Sequence, residues 1–203
     1  MRVLVACEES GIVRDAFRAQ GHDAWSCDLQ ECSGDDRFHY RHNVIDVMAD
    51  GWDMMIGHPP CTYMANSGVR WMYGDDGSQD NGRRRKCARA SNFFYALWES
   101  NIPLICLENP IPHRYAGLPH YTQCVQPWQF GDNFSKATCL WLQGLPPLVP
   151  SVLRKPDSVA HACHLEPPGP DRAKNRSKTY PGIAAAMALQ WGTDYRPGME
   201  LVA

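Results

Sequence analysis

An α/β fold with a mostly parallel sheet and helices on both faces is predicted by the order of segments along the chain. Short apolar runs typical of buried strands alternate with amphipathic helical segments, which is the pattern of βαβ units. Polar or reactive residues stand directly after several of these runs, where ligands bind in open α/β sheets. With 203 residues, the chain is long enough for a substantial core, and we expect a single domain over residues 1–203.

The composition is that of an ordinary globular protein and argues against several classes. The net charge of -2 argues against a strongly basic binder, although a local basic face stays compatible with nucleic acid. No stretch is apolar for long enough to span a membrane, and Glu8 and Glu9 interrupt the N-terminal apolar run, which argues against a signal peptide. Nine cysteines without a repeated C-x-x-C spacing indicate reduced thiols, so we expect a cytoplasmic protein.

The chain begins with a strand–turn–helix–strand unit. Residues 2–7 are rich in β-branched side chains, and residues 8–11 form a turn. A helix follows, because apolar residues recur at helical spacing: Ile12, Val13, Ala16 and Phe17. Residues 23–29 form a second strand with Asp28 near its end, about twenty residues beyond the first loop, as in nucleotide-type cofactor folds. Asp28 can bind two ribose hydroxyls; taken alone, it is a strand-end turn residue.

A rigid loop follows a short buried strand at residues 54–56. Pro59 and Pro60 fix two consecutive φ angles and remove two N–H donors, so neither helix nor sheet continues through them. The loop therefore presents Cys61 at the carboxyl end of a strand. A cysteine there is a candidate nucleophile; the alternative is a half-buried thiol that acts as a small hydrophobe.

The segments on either side of this loop carry fewer signals. Residues 42–44 predict a short third strand or edge. Residues 73–86 are rich in Gly, Asp and Asn and predict a mobile loop. A basic cluster then opens a helix, where it opposes the helix macrodipole; a phosphate-binding role and a solvated run are equally compatible with it. The cluster comprises Arg83, Arg84, Arg85 and Lys86.

A second carboxylate follows another apolar strand, residues 102–107, which ends at Glu108-Asn109-Pro110. If the two strands are parallel neighbours, Cys61 and Glu108 face the same crevice. Residues 124–128 and 136–142 predict two more strands, and residues 183–190 predict a helix whose alanines pack on the sheet. Between them lies a Pro-rich segment whose potential metal ligands are too few for a standard zinc site, so we expect no metal. These are His161, Cys163 and His164.

Taken in this order, the loops resemble the cytosine-C5 DNA methyltransferase family, in particular its small phage-type members. Pro59-Pro60-Cys61 resembles the family's Pro-Cys nucleophile loop, with Thr62 where Gln is usual. Glu108-Asn109-Pro110 resembles its Glu-Asn-Val motif. Residues 5–11 resemble its Phe-Ala-Gly-x-Gly-Gly cofactor loop in position and in Gly11. The resemblance covers most of the chain and implies a Rossmann-like S-adenosylmethionine-dependent methyltransferase fold.

The resemblance also implies a cofactor, S-adenosylmethionine. Asp28 matches the acidic residue that binds the cofactor ribose. Asn43 and Val44 fall where the family has Asp followed by an apolar residue that contacts the adenine, so Asn43 is a departure. Tyr180-Pro181-Gly182-Ile183 resembles the family's final Gly-Asn-x-Val-Pro motif. The other cofactor-binding residues implied are Cys7, Glu8, Ser10, Gly11, His58 and Pro59.

The reaction implied is methyl transfer to C5 of cytosine, in DNA or in a cytosine nucleotide. The Cys61 thiolate would add to C6, and Glu108, protonated because burial raises its pKa, would donate to N3 while Asn109 steadies the loop. Lys136 stands where the family carries an arginine pair. The substrate-binding residues implied are Thr62, Asn66, Arg83, Arg84, Arg85 and Lys136.

One segment departs from the family, which inserts a target-recognition domain before its final motif. Residues 143–179 form only a short Pro-rich insert, below the usual domain minimum of roughly 50 residues. We therefore expect low sequence specificity, a single-stranded or nucleotide substrate, or a partner that provides specificity. A homodimer is also compatible with the chain.

Two alternatives to C5 methylation remain. Amino-methyltransferases also use a Pro-Pro loop, but with Asp, Asn or Ser before it and an aromatic residue after it, where this chain has His58 and Cys61. The other alternative is a catalytically inactive methyltransferase-fold binding protein of phage type, which the divergent first loop and Asn43 favour.

Overall fold

The computed structural model describes residues 1–160, 166–169 and 172–193. Its centre is one sheet of seven strands: β1 (Arg2–Ala6), β2 (Asp23–Asp28), β3 (His39–Arg41), β4 (Met54–Gly57), β5 (Leu104–Asn109), β6 (Gln123–Val125) and β7 (Thr138–Gln143). The strand order is β3-β2-β1-β4-β5-β7-β6. The first five strands pair in parallel, whereas β7 is antiparallel to both β5 and β6.

Helices cover both faces of this sheet: α1 (Ile12–Ala19), α2 (Val44–Val47), α3 (Asn81–Trp98), α4 (Arg172–Ser177) and α5 (Pro181–Trp191). Successive strand side chains point to opposite faces, so Val5 packs in the layer of α1 and α5 while Leu4 packs in the layer of α3. Phe17 and Trp191 fill the first layer and Phe94 the second, all fully buried. The predicted α/β, Rossmann-like class with a mostly parallel sheet is confirmed.

Several predicted element boundaries are wrong. Residues 42–44 are not a strand, because Asn43 caps α2, with its Oδ1 accepting a hydrogen bond from the Ile45 N–H at 3.2 Å. The last six residues of the loop predicted at residues 73–86 are helical, since Asp80 caps α3 and residues 81–86 form its first turns. The strand predicted at residues 124–128 is cut short, because Pro127 begins a 3₁₀ turn directly after β6.

Within the described ranges, no helix is long and apolar enough to cross a membrane. Those ranges also hold no group of three or more His, Cys, Asp or Glu side chains arranged to bind a metal. All eight cysteines that they include are free thiols. The prediction that His161, Cys163 and His164 bind no metal concerns residues outside the described ranges.

Candidate active site

The nucleophile loop, residues 58–65, leaves the sheet at the end of β4. The N–H of His58 still donates to the Ala6 carbonyl of β1 at 2.9 Å, so the loop begins as an extension of the strand. Its two prolines then end the ladder, and Cys61 is the first residue of a turn. The Met64 and Ala65 N–H groups both donate to the Cys61 carbonyl, each at 2.9 Å. These hydrogen bonds fix the backbone at Cys61, whose side chain is half-buried.

Two consecutive residues of β5 hold this loop from the neighbouring strand. The Asn109 side chain, which is 2% exposed, donates from Nδ2 to the Pro59 carbonyl at 3.0 Å. The Nδ1 atom of His58 lies 3.1 Å from Oε2 of Glu108. Because β4 and β5 are parallel and adjacent, their carboxyl ends meet at one edge. The structure therefore brings Glu108, Asn109 and the Cys61 loop together at one edge of the sheet, as the sequence predicts.

The charge state of Glu108 differs from the expectation of a protonated acid. Burial alone raises the pKa of its carboxyl group, but the hydrogen bond from His58 and the positive charge of Lys136 together lower that pKa by more. The net effect is a Glu108 pKa below the ordinary value, so the carboxyl group is ionised at neutral pH. Burial was the only influence visible from the sequence, and it is outweighed by neighbours distant along the chain.

The Cys61 thiol experiences opposing influences. Burial raises its pKa and the negative charge of Glu108 raises it further, whereas the positive charges of Lys136 and Arg176 lower it. The net shift is upward, so in the free protein Cys61 carries its proton. A thiol beside a carboxylate is therefore the resting state of this site.

Lys136 is the cation that acts on both groups. Its Nζ atom donates to the backbone carbonyls of Arg176 at 3.1 Å and Lys178 at 3.5 Å, and it lies 5.8 Å from the ring centroid of Tyr180. These contacts fix the ammonium group between the start of β7 and the segment that leads into α5. The contribution of Arg176 was missed from the sequence, since no motif marks that residue. His58 was assigned to cofactor binding, and its contact with Glu108 was missed.

The first loop is built around the N-terminus of α1. The Glu8 carboxylate accepts hydrogen bonds from the Val13 N–H at 2.7 Å and the Arg14 N–H at 3.3 Å, and Ser10 Oγ donates to it at 3.3 Å. Glu8 and Ser10 are therefore engaged in satisfying the helix end, and Glu8, Glu9 and Gly11 are buried in this turn. Cys7 has a φ of 59° and Gly11 a φ of 73°, so the loop turns twice through the left-handed region.

Asp28 ends β2 at the same edge of the sheet. Its Oδ1 accepts a hydrogen bond from the Gln30 N–H at 2.9 Å, and Oδ2 has no partner within the described part of the chain. The next residue, Leu29, has an apolar side chain that is 72% exposed. Asn43 lies beyond β3, where its side-chain oxygen caps α2 and its amide nitrogen is left for another contact.

These residues fit a nucleoside-type cofactor. A half-buried carboxylate oxygen without a partner suits a ribose, and an exposed apolar side chain beside it suits a flat base. A second polar atom at this edge also lacks a partner: Nε2 of His58 is buried and makes no hydrogen bond with the described residues. The fit is carried by Asp28 and Leu29 rather than by the Glu8 and Ser10 side chains.

The residues predicted to bind substrate divide into two groups. Thr62 and Asn66 are exposed on and directly after the nucleophile loop. Arg83 reaches that loop, since its Nη2 donates to the Thr62 carbonyl at 3.3 Å and its guanidinium lies 5.2 Å from the Tyr63 ring centroid. The structure does not bring the next two arginines to the same point: Arg84 and Arg85 line a groove on α3.

Comparisons with known proteins find similarity among solved structures. No protein-family model and no curated protein sequence matches the chain. Among solved structures, it is similar to an Escherichia coli protein encoded within a prophage and described as a candidate DNA modification methyltransferase, with 13% sequence identity and a TM-score of 0.47. The alignment covers 76% of this chain and 52% of that chain. The chain therefore spans about half the length of its neighbour, and the chemistry of the site rests on its own residues.

Proposed function

We propose that this chain is an S-adenosylmethionine-dependent methyltransferase that acts on C5 of cytosine in DNA through a covalent adduct with Cys61. One observation carries the proposal. Consecutive residues of β5 hold the nucleophile loop, Asn109 through the Pro59 carbonyl and Glu108 through His58. A candidate nucleophile and a candidate acid are thus held at the same edge of the sheet, as addition across a cytosine ring requires.

The resting charge states suit this reaction without an outside acid or base. Cys61 holds a proton that it must lose, and Glu108 lacks the proton that it must deliver. Transfer of one proton from the Cys61 thiol to Glu108, and from Glu108 to N3 of cytosine, accompanies formation of the bond from Sγ to C6. The sum is addition of a neutral thiol across the ring. The positive charge of Lys136 stabilises the thiolate while that bond forms.

Addition at C6 makes C5 nucleophilic enough to accept a methyl group. The cofactor, when bound, supplies that group as an electrophilic methyl on sulfur, and Asp28 with Leu29 would hold its nucleoside part. A base or water then removes the C5 proton, the bond from Sγ to C6 breaks, and N3 returns its proton. Cys61 and Glu108 regain their resting states.

The decisive experiment compares Cys61→Ser with Cys124→Ser, a matched change at an exposed cysteine on β6. We expect wild type and Cys124→Ser to transfer labelled methyl groups to cytosine DNA and to form a covalent complex with an oligonucleotide that contains 5-fluorocytosine. Cys61→Ser should do neither, because the fluorine traps only an adduct that has formed at C6. Methyl transfer by Cys61→Ser at the wild-type level would contradict the proposal.

Methyl transfer to an exocyclic amine is the second candidate. One observation favours it: in the neutral tautomer of His58 whose Nδ1–H donates a hydrogen bond to Glu108, the unpartnered Nε2 can accept a hydrogen bond from an exocyclic amine. That reaction needs no thiolate, so it is compatible with the raised pKa of Cys61. Mass spectrometry of the methylated nucleosides separates the two candidates, since it places the methyl group on C5 or on nitrogen.

A further inference from the structure

Arginines and exposed aromatic rings lie together on the surface beside the nucleophile loop. Residues 66–92 and 111–116 contain seven Arg or Lys and three Asp, a net charge of +4 in a chain whose net charge is -2. Trp71 is 53% exposed and Tyr73 is 37% exposed, although large apolar rings are usually buried. We call this surface the basic–aromatic face.

The acidic residues of this face do not neutralise its arginines. Asp80 accepts a hydrogen bond from the Arg83 N–H at 2.9 Å as the cap of α3, and Asp76 accepts one from the Ser78 N–H at 2.9 Å. Within the described ranges, none of the seven basic side chains forms an ion pair. The positive charge of the face is therefore available to an anionic partner.

A small core fixes the basic–aromatic face relative to Cys61. Met64 of the nucleophile loop packs in one cluster with Met72, Cys87 of α3 and Ala116, and all four are buried. This cluster joins the nucleophile loop, the 3₁₀ turn at residues 66–72, the start of α3 and the segment after β5. The face is thus built on the same unit as the nucleophile.

Two grooves cross the face and meet at one aromatic residue. A groove of about 590 Å³ is lined by Arg84, Arg85 and Tyr115, and one of about 440 Å³ is lined by Arg70, Arg114 and Tyr115. Both are large enough to hold small organic groups such as nucleotides. Arginines therefore occur along both grooves, as binding of a continuous phosphate backbone requires.

The aromatic rings indicate which form of nucleic acid fits. The Arg70 guanidinium lies 4.0 Å from the ring centroid of Trp71, and covers one face of an otherwise exposed indole. Tyr73 and Tyr115 are joined through their hydroxyl groups at 2.7 Å, and Arg114 donates to the same Tyr115 hydroxyl at 2.7 Å. Rings held in this way can stack on unpaired bases, whose faces are open, whereas a duplex hides its base faces.

We propose that the basic–aromatic face binds an unpaired DNA strand and directs a cytosine from that strand to Cys61. The inference rests on the proposed function, since it names the form of that reaction's substrate. Arg83 connects the two regions, because it belongs to the same helix as Arg84 and contacts the nucleophile loop at Thr62. A strand that is already unpaired needs no base flipping, so the chain can act without a target-recognition domain.

The test is fluorescence anisotropy with a labelled oligothymidine strand and no cofactor. This probe contains no cytosine, so binding is measured independently of methyl transfer. We expect saturable binding that weakens steeply with salt, as phosphate contacts require, and that an unlabelled DNA duplex competes for poorly. Trp71→Ala should weaken binding by about fivefold to 150-fold, the effect of losing one stacked base. Arg84→Glu with Arg85→Glu should weaken it further and flatten the salt dependence.

The matched control is Arg154→Glu with Lys155→Glu, an equal charge change at exposed residues. Arg154 and Lys155 follow Ser151 and Val152, whose N–H groups donate to the Gln129 carbonyl. Gln129 lies beside the layer of α1 and α5, on the other side of the sheet. The control should leave binding unchanged. Equal losses in the control, unaltered binding by Trp71→Ala, or stronger competition by duplex DNA or by RNA would each overturn the inference. Strand binding without any methyl transfer would instead contradict the proposed function and the delivery of a cytosine to Cys61, while binding of an unpaired strand by this face would stand.

Discussion

The Nδ1 atom of His58 lies 3.1 Å from the Oε2 atom of Glu108, and the two side chains are only 10% and 8% exposed. The contact joins the residue that follows β4 to the penultimate residue of β5. Such a contact between buried groups helps to set the protonation of Glu108, because water is not there to screen the two side chains. Glu108 is ionised despite its burial as a result, and the nucleophile loop gains a second anchor beside Asn109.

Replacement of His58 by Leu should alter how stability depends on pH. The pKa of Glu108 is lower in the folded protein than its ordinary value of 4.5, so the stability that this group contributes is present above that value and is lost as pH falls through the folded pKa. His58→Leu removes the hydrogen bond and leaves burial less opposed, which raises the folded pKa. The unfolding free energy of wild type should therefore exceed that of the variant most at neutral pH, and the gap should close as pH falls through the folded pKa of Glu108 in the variant and then in wild type. Urea titrations at several pH values measure it.

The control for this experiment is the same substitution made in a Glu108→Gln background. Gln cannot ionise, so the pH dependence of the gap should disappear there while the packing change at residue 58 is retained. A gap that keeps its pH dependence in the Gln background would show that another group is responsible.

Lys136→Gln should make Cys61 less reactive at a fixed pH. Removal of the ammonium group takes away a positive charge that lowers the pKa of the thiol, while burial and Glu108 continue to raise it. The rate of alkylation by iodoacetamide, followed at Cys61 by peptide mass spectrometry, should fall and its pH profile should move upward. Lys136→Arg keeps the charge and should retain the wild-type profile. An unchanged profile in Lys136→Gln would contradict the role given to this cation.

The fold was predictable where local pattern and tertiary packing agree. The strand–turn–helix–strand unit at the N-terminus shows clear strand and helix periods, and β1, α1 and β2 form within a residue or two of their predicted bounds. The predicted element boundaries are wrong where a single side chain determines the local backbone conformation. Asn43 prefers to cap a helix rather than to extend a strand, and Pro127 turns the chain after β6. Such choices depend on a single hydrogen bond or ring and leave no periodic signal.

The position of the site was predictable from the sequence, but the charge state of Glu108 was not. Because parallel neighbouring strands end at the same edge of a sheet, their order along the chain was enough to predict that Cys61, Glu108 and Asn109 lie together there. The direction of the Glu108 pKa was predicted wrongly, since it depends on His58, which is separated from it by 50 residues, and on Lys136. Neither contact follows from spacing along the chain.

Asn109→Ala should destabilise the protein and impair methyl transfer. The Pro59 carbonyl lies in a buried part of the loop and would lose the amide donor at 3.0 Å, and an unsatisfied buried carbonyl costs about 1–3 kcal/mol. Loss of this anchor also frees the backbone that positions Cys61, so activity should fall by more than the loss of folded protein explains. Asn92→Ala, at an exposed position on α3, should change the unfolding free energy by less than about 0.5 kcal/mol. Denaturant titration and transfer assays on folded protein at low temperature measure the two effects separately, and wild-type activity in Asn109→Ala would contradict the anchoring role.

Gly11→Ala should cost more stability than Gly21→Ala, although both glycines flank α1 in the left-handed region, with φ values of 73° and 84°. A methyl group at either position incurs the strain of that backbone conformation, about 1–2 kcal/mol. At Gly21 it would meet no atom within 4 Å, whereas at Gly11 it would lie 2.8 Å from Cζ of Arg14. Arg14 is fully buried and donates to Ser26 Oγ at 3.1 Å, so its guanidinium cannot move into solvent. The collision should add about 1–3 kcal/mol to the loss at Gly11, as overpacking does elsewhere. Denaturant titration of the two variants measures the difference, and equal losses would show that the first loop yields without disturbing Arg14.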